Sequence, residues 1–194
     1  DQSPTNYGDC VVNVLLVTGS RSLVERAGAM DAFDELALPM IRQSDLVIAG
    51  DARGPDARGI ALARHVEKYT QKWCLDGWVV LSKPLADGTT RFDRKRWWGE
   101  HDPRPSETKW PLVRNRRMIE RAAGYRDDAR ILDIFHAIAN GGDLHEHEVR
   151  LLCVGFVDPA SLTKGTDNTL QHARNARIWT ARYVWGGERF EEQS

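Results

Sequence analysis

The chain has 194 residues, 41% of them hydrophobic, and 27 Lys and Arg stand against 28 Asp and Glu for a formal net charge of −1. That length suits one generous domain with insertions and is enough to bury a substantial core. The composition argues against a membrane span and against a uniformly basic surface for gripping nucleic acid, so charge has to be judged locally.

Asp1 to Asp9, polar and interrupted by Pro4 and Gly8, read as a loose leader. They lack the basic start, apolar middle and small-residue cleavage site of a signal peptide, which makes the cytoplasm the default location. The first strand starts near Cys10 and runs through VVNVLLV, Val11 to Val17, into Thr18, Gly19, Ser20 and Arg21. From Leu23 to Ile41 the spacing of Leu23, Ala27, Met30, Phe33, Leu36 and Leu38 predicts an amphipathic helix with Pro39 near its end. Asp45 to Ala49 reads as a second buried strand. A helix from about Asp56 to Thr70 then turns Ile60, Ala63 and Val66 toward the sheet, and Trp78 to Leu81 forms a third strand. This alternation implies an α/β fold, a parallel sheet covered by helices.

Asp87 to Trp110 breaks the rhythm with Gly, Pro, charges and Trp97, Trp98 and Trp110. The expectation is a long loop whose tryptophans pin it to the body, with base stacking as the alternative. Pro111 to Ala123 resumes as a basic helix. Ala129 to Ala139 follows as a second helix, with Ile131, Ile134, Phe135 and Ile138 on one face and Asn140, Gly141 and Gly142 as its stop. Val149 to Val157, VRLLCVGFV, is the next buried strand. A polar loop through Gly165 leads into a helix from about Thr166 to Ala176, IWTARYVW supplies the last strand, and residues 186–194 form a polar tail.

Cys10, Cys74 and Cys153 are odd in number, include no CxxC pair and read as buried small hydrophobes. His145 and His147 alternate with Glu146 and Glu148 in a Gly-bounded loop and read as solvated polar groups, so neither a metal nor a cofactor is expected.

The most informative stretch is Asp45 to Arg64, DLVIAGDARGPDARGIALAR: an apolar run, a Gly-punctuated turn, then a helix. Such a turn exposes backbone N–H groups at the positive end of a helix dipole, a place that binds phosphate or another anion. Gly50 and Gly54 permit close backbone approach, Arg53 and Arg58 offer charge, and Asp51 and Asp56 offer acceptors for ribose hydroxyls. Asp56 suits a helix cap equally well, and Arg58 a solvated helix face. The first turn repeats the plan, with Ser20 and Arg21 as hydroxyl and guanidinium. A third element, Arg114, Asn115, Arg116 and Arg117, lies in a helix whose spacing lets only one or two of these side chains reach a common pocket; Arg114 and Asn115 are the choices. The fourth, Lys164-Gly165-Thr166 before Asp167, Asn168 and Thr169, empties into another helix N-terminus, where phosphate binding and capping by Thr166 both remain open. In open parallel sheets ligands bind outside the carboxyl ends of the strands, where these turns gather.

VTGSR at Val17 to Arg21, AGDARGPDARGIALA at Ala49 to Ala63, PLVRNRRM at Pro111 to Met118 and KGTDNTLQHAR at Lys164 to Arg174 occur in an order that resembles the SLOG superfamily of Rossmann-like proteins. That superfamily includes the LONELY GUY phosphoribohydrolases and the DNA-processing protein DprA, and the chain looks closest to its small phage and bacterial branch, formerly known only as a domain of unknown function. The resemblance implies a Rossmann-like fold and a nucleotide-derived ligand held by Gly19, Ser20, Arg21, Gly50, Arg53, Gly54, Asp56, Gly165 and Thr166. It also implies a homo-oligomer, since relatives commonly assemble. The chain departs from the pattern where Asp51 replaces the second Gly before Ala-Arg-Gly, and where Ser161 to Lys164 replace the usual Pro-Gly-Gly. Asp87 to Trp110 and the helix from Arg126 to Ala139 look like additions.

The phosphoribohydrolases use an Arg in the third motif, matched by Arg114, and a Glu just after the Gly-Thr pair, where this chain has only Asn168 and Thr169. Neither can protonate a leaving base as a carboxyl does. The leading expectation is therefore binding or sensing of a nucleotide-derived small molecule. The alternative is an N-glycosidase acting on a nucleotide, with Arg114 and Asp51 as catalytic candidates and Asp56 or Asp167 as further carboxylates. A third is binding of single-stranded nucleic acid through Arg114, Arg116, Arg117 and the tryptophans, a partner the near-zero net charge disfavours. No membrane partner is expected.

Overall fold

Alternating apolar side chains along the first strand need cover on both faces, and the fold is built around that need. The computed structural model describes residues 10–97, 110–127, 147–161 and 164–193. The leader, Trp98, the helix expected from Ala129 to Ala139 with its Asn-Gly-Gly stop, and His145 lie outside the described residues. The elements are β1 (Cys10–Gly19), a short 3₁₀ turn (Arg21–Glu25), α1 (Ala29–Gln43), β2 (Leu46–Gly50), α2 (Pro55–His65), β3 (Tyr69–Trp73), β4 (Trp78–Pro84) and β5 (Thr90–Arg96). They continue as α3 (Trp110–Gly124), β6 (His147–Val157), α4 (Lys164–Asn175), β7 (Trp179–Trp185) and β8 (Phe190–Gln193).

The eight strands form one sheet in the order β5-β4-β3-β2-β1-β6-β7-β8. The five central strands run parallel, while β4, β5 and β8 pair antiparallel at the two edges. This is an α/β, Rossmann-like architecture. Val14 and Leu16, with Leu46, Ile48, Leu151 and Cys153, face α3 and α4. Leu15 and Val17, with Val47, Ala49, Val154 and Phe156, face α1 and α2. Cys74 and Cys153 are buried, as expected. Among the described residues no helix is long and apolar enough to cross a membrane.

Four expectations are corrected. The helix predicted from Leu23 begins only at Ala29, because Gly28 at φ +75° turns the chain left-handed and leaves Leu23 in the separate 3₁₀ turn. Its buried stripe is Ala29, Phe33, Ala37 and Ile41, spaced by four.

The second helix stops at His65 rather than Thr70. Glu67 adopts φ +57°, its N–H donates to the Arg64 carbonyl, and the Lys68 N–H donates to the Ala63 carbonyl. This is a Schellman stop without the usual glycine, so the sequence carries no punctuation there. Tyr69 to Trp73 then form the missed strand β3, whose Thr70 and Gln71 are buried polar residues satisfied by Ser82 and by the Tyr125 hydroxyl.

Part of the expected loop from Asp87 is a strand: β5 pairs with β4 from Pro84↔Thr90 to Trp78↔Arg96. Of the three tryptophans, Trp97 and Trp110 are described, and both are held against the β3–β4 turn. The Trp97 indole N–H donates to the Cys74 carbonyl at 2.8 Å, that of Trp110 to the Leu75 carbonyl, and the two rings lie 4.8 Å apart. Finally, the polar tail contains β8, anchored by Phe190 against Phe156 and Trp185 at ring distances of 5.2 Å.

A non-glycine residue held left-handed at a helix stop stores about 1 kcal/mol. Glu67 is exposed and its side chain makes no hydrogen bond or ion pair among the described residues, so Glu67→Gly is expected to stabilise the protein by about 0.5–1 kcal/mol in urea unfolding.

Candidate functional site

From β1 the chain runs out to β2 and β3 on one side and to β6 and β7 on the other, so the carboxyl ends of β1 and β6 border a topological switch point. A cavity of about 450 Å³ opens there. Ser20 and Arg21 line it from the end of β1, Arg53 and Asp56 from the start of α2, Arg114 and Asn115 from α3, and Gly165 and Thr166 from α4. With Gly19, nine of the residues proposed from sequence thus meet on one space.

Each turn has its own reason. Gly19 is obligatory because a Cβ there would lie 2.3 Å from the Pro55 ring, and its N–H donates to Asp56 Oδ1 at 3.0 Å. Ser20 clamps the ends of two strands: its N–H donates to the Phe156 carbonyl at 2.8 Å and its Oγ accepts the Asp158 N–H at 3.1 Å. Gly54 holds φ +93° ahead of Pro55, the first residue of α2. Gly50 leaves the space in which two charged groups approach, since a Cβ would fall 2.4 Å from Asp56 Oδ2 and 2.5 Å from Arg114 Nη2. Gly165 differs from these, because among the described residues nothing beyond its chain neighbours and its own helix backbone lies within 4 Å of a Cβ built on it. Its missing side chain opens onto the cavity at the first turn of α4.

Arg114 is only 2% exposed and is held from several elements. Nη1 donates to Asp51 Oδ1 at 2.6 Å and to the Trp73 carbonyl at 3.3 Å; Nε and Nη2 both donate to Asn115 Oδ1; Nη2 stands 3.8 Å from Asp56 Oδ2. Asn115 Nδ2 in turn donates to Thr169 Oγ1 at 2.7 Å, and the Thr169 hydroxyl donates to the Gly165 carbonyl at 2.8 Å. A hydrogen-bonded chain therefore ties α3 to the first turn of α4.

Asp56, 3% exposed, does not cap its helix; its carboxylate joins α2 to the end of β1. Burial pushes its carboxyl up to about 6, with Asp51 adding to the rise, against the opposing pull of Arg114, the Gly19 N–H and Arg21. Asp51 is not among the cavity-lining residues. Its two oxygens go to Arg114 and to the Leu75 N–H at 3.0 Å, so it ties the β3–β4 turn to the guanidinium from behind. Arg53 is 66% exposed and paired with Glu25 at 2.9 Å, whereas Arg21 forms no hydrogen bond or ion pair among the described residues. Arg58 points away to Asp34 on α1. Arg116 and Arg117 both pair with Glu120 on the outer face of α3.

Glu25 and Asp158 escaped the sequence reading. Burial raises the Asp158 carboxyl, but the Arg26 guanidinium and the Ala160 N–H outweigh it and hold the group below the ordinary range. Its position one residue past the apolar run VRLLCVGFV was the available signal. Among the described residues no group of three His, Cys, Asp or Glu side chains could hold a metal. Comparison with family models, curated proteins and solved structures finds no match for this chain.

Because the folded carboxyl of Asp56 titrates near 6 and the unfolded one near 3.8, the folded state holds the extra proton between these values. The contribution of this group is fully present below about pH 4 and is lost as pH rises through 6, by about 3 kcal/mol on the linkage relation. Asp56→Asn keeps an acceptor for the Gly19 N–H and removes the titration. In urea unfolding across pH 4 to 7, the difference between variant and wild type is expected to shift in favour of the variant as pH rises.

Proposed function

We propose that the cavity at the ends of β1 and β6 binds a nucleotide-derived small molecule through a phosphate, and that the chain is a SLOG-like binding or sensing protein. The observation that carries this reading is the convergence of the Arg21 guanidinium, unpaired among the described residues, and the open first turn of α4 at Gly165 and Thr166 on one 450 Å³ space. A guanidinium and a helix N-terminus facing each other form a site for a multiply charged anion, and the volume suits a ligand of nucleotide size. Arg114 does not serve as the phosphate ligand in this reading, because its donors already go to protein acceptors. It sets the position of Asp56 and Asn115 in the wall.

Calorimetry with nucleoside monophosphates and ADP-ribose tests it. Arg21→Ala is expected to weaken binding about 10- to 100-fold, the value of one or two charge-assisted hydrogen bonds, with an unchanged Tm because the side chain is exposed and bonds to none of the described residues. Arg53→Ala, whose partner is Glu25, costs less. Gly165→Ala fills ligand space and weakens binding without loss of stability. Equal affinity for all four proteins would defeat the proposal.

Hydrolysis of an N-glycosidic bond is the second reading, favoured by one observation: a buried carboxyl in the cavity wall, raised to about 6, is suited to protonating a leaving base near neutral pH. Asp56 takes the role sought for Asp51. Incubation with nucleoside monophosphates and chromatography for free base is expected to show release by the wild type and none by Asp56→Asn; absence of release from the wild type discards this reading and leaves binding alone.

A further inference from the structure

The register of the antiparallel strands composes one face of the sheet beside α3. Gln71 stands opposite Leu81, Trp73 opposite Val79, and Val79 opposite Lys95, so these five side chains share that face. Arg117 and Arg121 stand one turn apart on α3, and Tyr125 one turn further along the chain. Between the two sets lies a hollow of about 340 Å³, with Trp97 completing its wall. It shares no lining residue with the cavity at β1 and β6.

The floor is apolar and aromatic, and the polar groups in it are few. Gln71, 3% exposed, gives its amide N–H to the Tyr125 hydroxyl at 2.5 Å, with Arg121 close to that hydroxyl. Trp73, 5% exposed, keeps a buried indole N–H that has no hydrogen-bond partner among the described residues. An unbonded buried donor is rare in a folded protein, and in a cavity wall it favours a ligand that brings an acceptor. The rim is cationic. Lys95 and Arg121 are exposed, and neither forms an ion pair among the described residues. Glu120, the acid of the rim, lies 3.6 Å from both Arg116 and Arg117.

Solubility asks for charge on the outer face of α3 and on an edge strand, and single cations there satisfy it. It does not ask a strand and a helix to bring cations to the mouth of one aromatic hollow. Inorganic phosphate would meet those cations and leave the rings unused, and an extended fatty acid needs a longer channel. A flat ring bearing one carboxylate uses both halves: the ring against Trp73, Trp97 and Leu81, the acid at Lys95 and Arg121. The hollow falls in the size range of small-ligand pockets, which are lined in this same way by apolar and aromatic side chains with a few placed polar groups.

We propose that this hollow is a second small-molecule site, for a planar aromatic carboxylate, independent of the cavity at β1 and β6. The test is titration of the full chain with benzoate, 1-naphthoate and 2-naphthoate, followed by calorimetry and by the tryptophan indole N–H resonances. At least one of the three binds and shifts the Trp73 and Trp97 resonances. Acetate, which has the charge without the ring, and the amide of the same ring, which has the ring without the charge, bind at least about tenfold more weakly. Lys95→Glu weakens binding about 10- to 100-fold at an unchanged Tm, because the side chain is exposed, and Lys95→Arg retains it. Arg94→Glu, on the opposite face of the hairpin, leaves binding unchanged, and so does Arg21→Ala, which separates this site from the nucleotide cavity. The proposal is overturned if none of the three carboxylates binds, if acetate or the amide binds as tightly, if the Trp73 and Trp97 resonances stay still, if Lys95→Glu keeps full affinity, or if Arg21→Ala removes binding.

Discussion

A guanidinium withdrawn from water costs several kcal/mol unless acceptors surround it, and the placement of four segments answers to that demand at Arg114. Asp51 follows β2, Asp56 opens α2, the Trp73 carbonyl ends β3 and Asn115 sits beside Arg114 on α3, and each turns toward this buried cation. Two carboxylates around one cation leave an excess of negative charge. The two differ in setting: Asp51, 26% exposed at its side chain, takes the 2.6 Å bond, while burial raises the carboxyl of Asp56, deep in the wall and 3.8 Å away, to about 6 against the pull of Arg114, with Asp51 adding to the rise. The same arrangement that stabilises Arg114 therefore leaves a readily protonated group facing the cavity.

The glycines sort into two kinds by the same reasoning. Gly19 and Gly50 are needed by the protein itself, since a side chain at either would collide with Pro55 or with the Asp56–Arg114 contact. Gly165 is not, and open space lies above it. The turns around the cavity thus contain both packing glycines and a glycine with open space above it.

The edges of the sheet follow a different logic from its centre. The parallel strands β1, β2 and β6 are apolar and buried on both faces over Val14 to Val17, Leu46 to Ala49 and Cys153 to Val157, while the antiparallel β3–β4–β5 extension mixes buried polar pairs with an exposed basic strand. Trp97 and Trp110 fasten that extension to the β3–β4 turn, and Asp51 fastens the same turn to Arg114. The hairpin and the cavity wall therefore share one anchoring turn, Cys74 to Gly77.

Runs such as VVNVLLV, DLVIA and VRLLCVGFV determine buried strands by composition alone, because no other environment accepts uninterrupted branched aliphatic residues, and the Gly-bounded turns after them determine where helices begin. The parallel α/β class and the gathering of Ser20, Arg21, Arg53, Asp56, Arg114, Asn115, Gly165 and Thr166 were legible for that reason. Tyr69 to Trp73 was not, since Thr70 and Gln71 are made acceptable in a core by Ser82 and Tyr125, partners distant in the chain, and since Glu67 stops the preceding helix without a glycine. β5 and β8 were hidden likewise, because edge strands face water and need no apolar pattern. The division of labour between Asp51 and Asp56 lay beyond local pattern altogether. Both are acids in one turn, and only tertiary structure turns one behind the guanidinium and the other into the cavity, because burial and the distance to Arg114 exist only once α3 has packed against the ends of the strands.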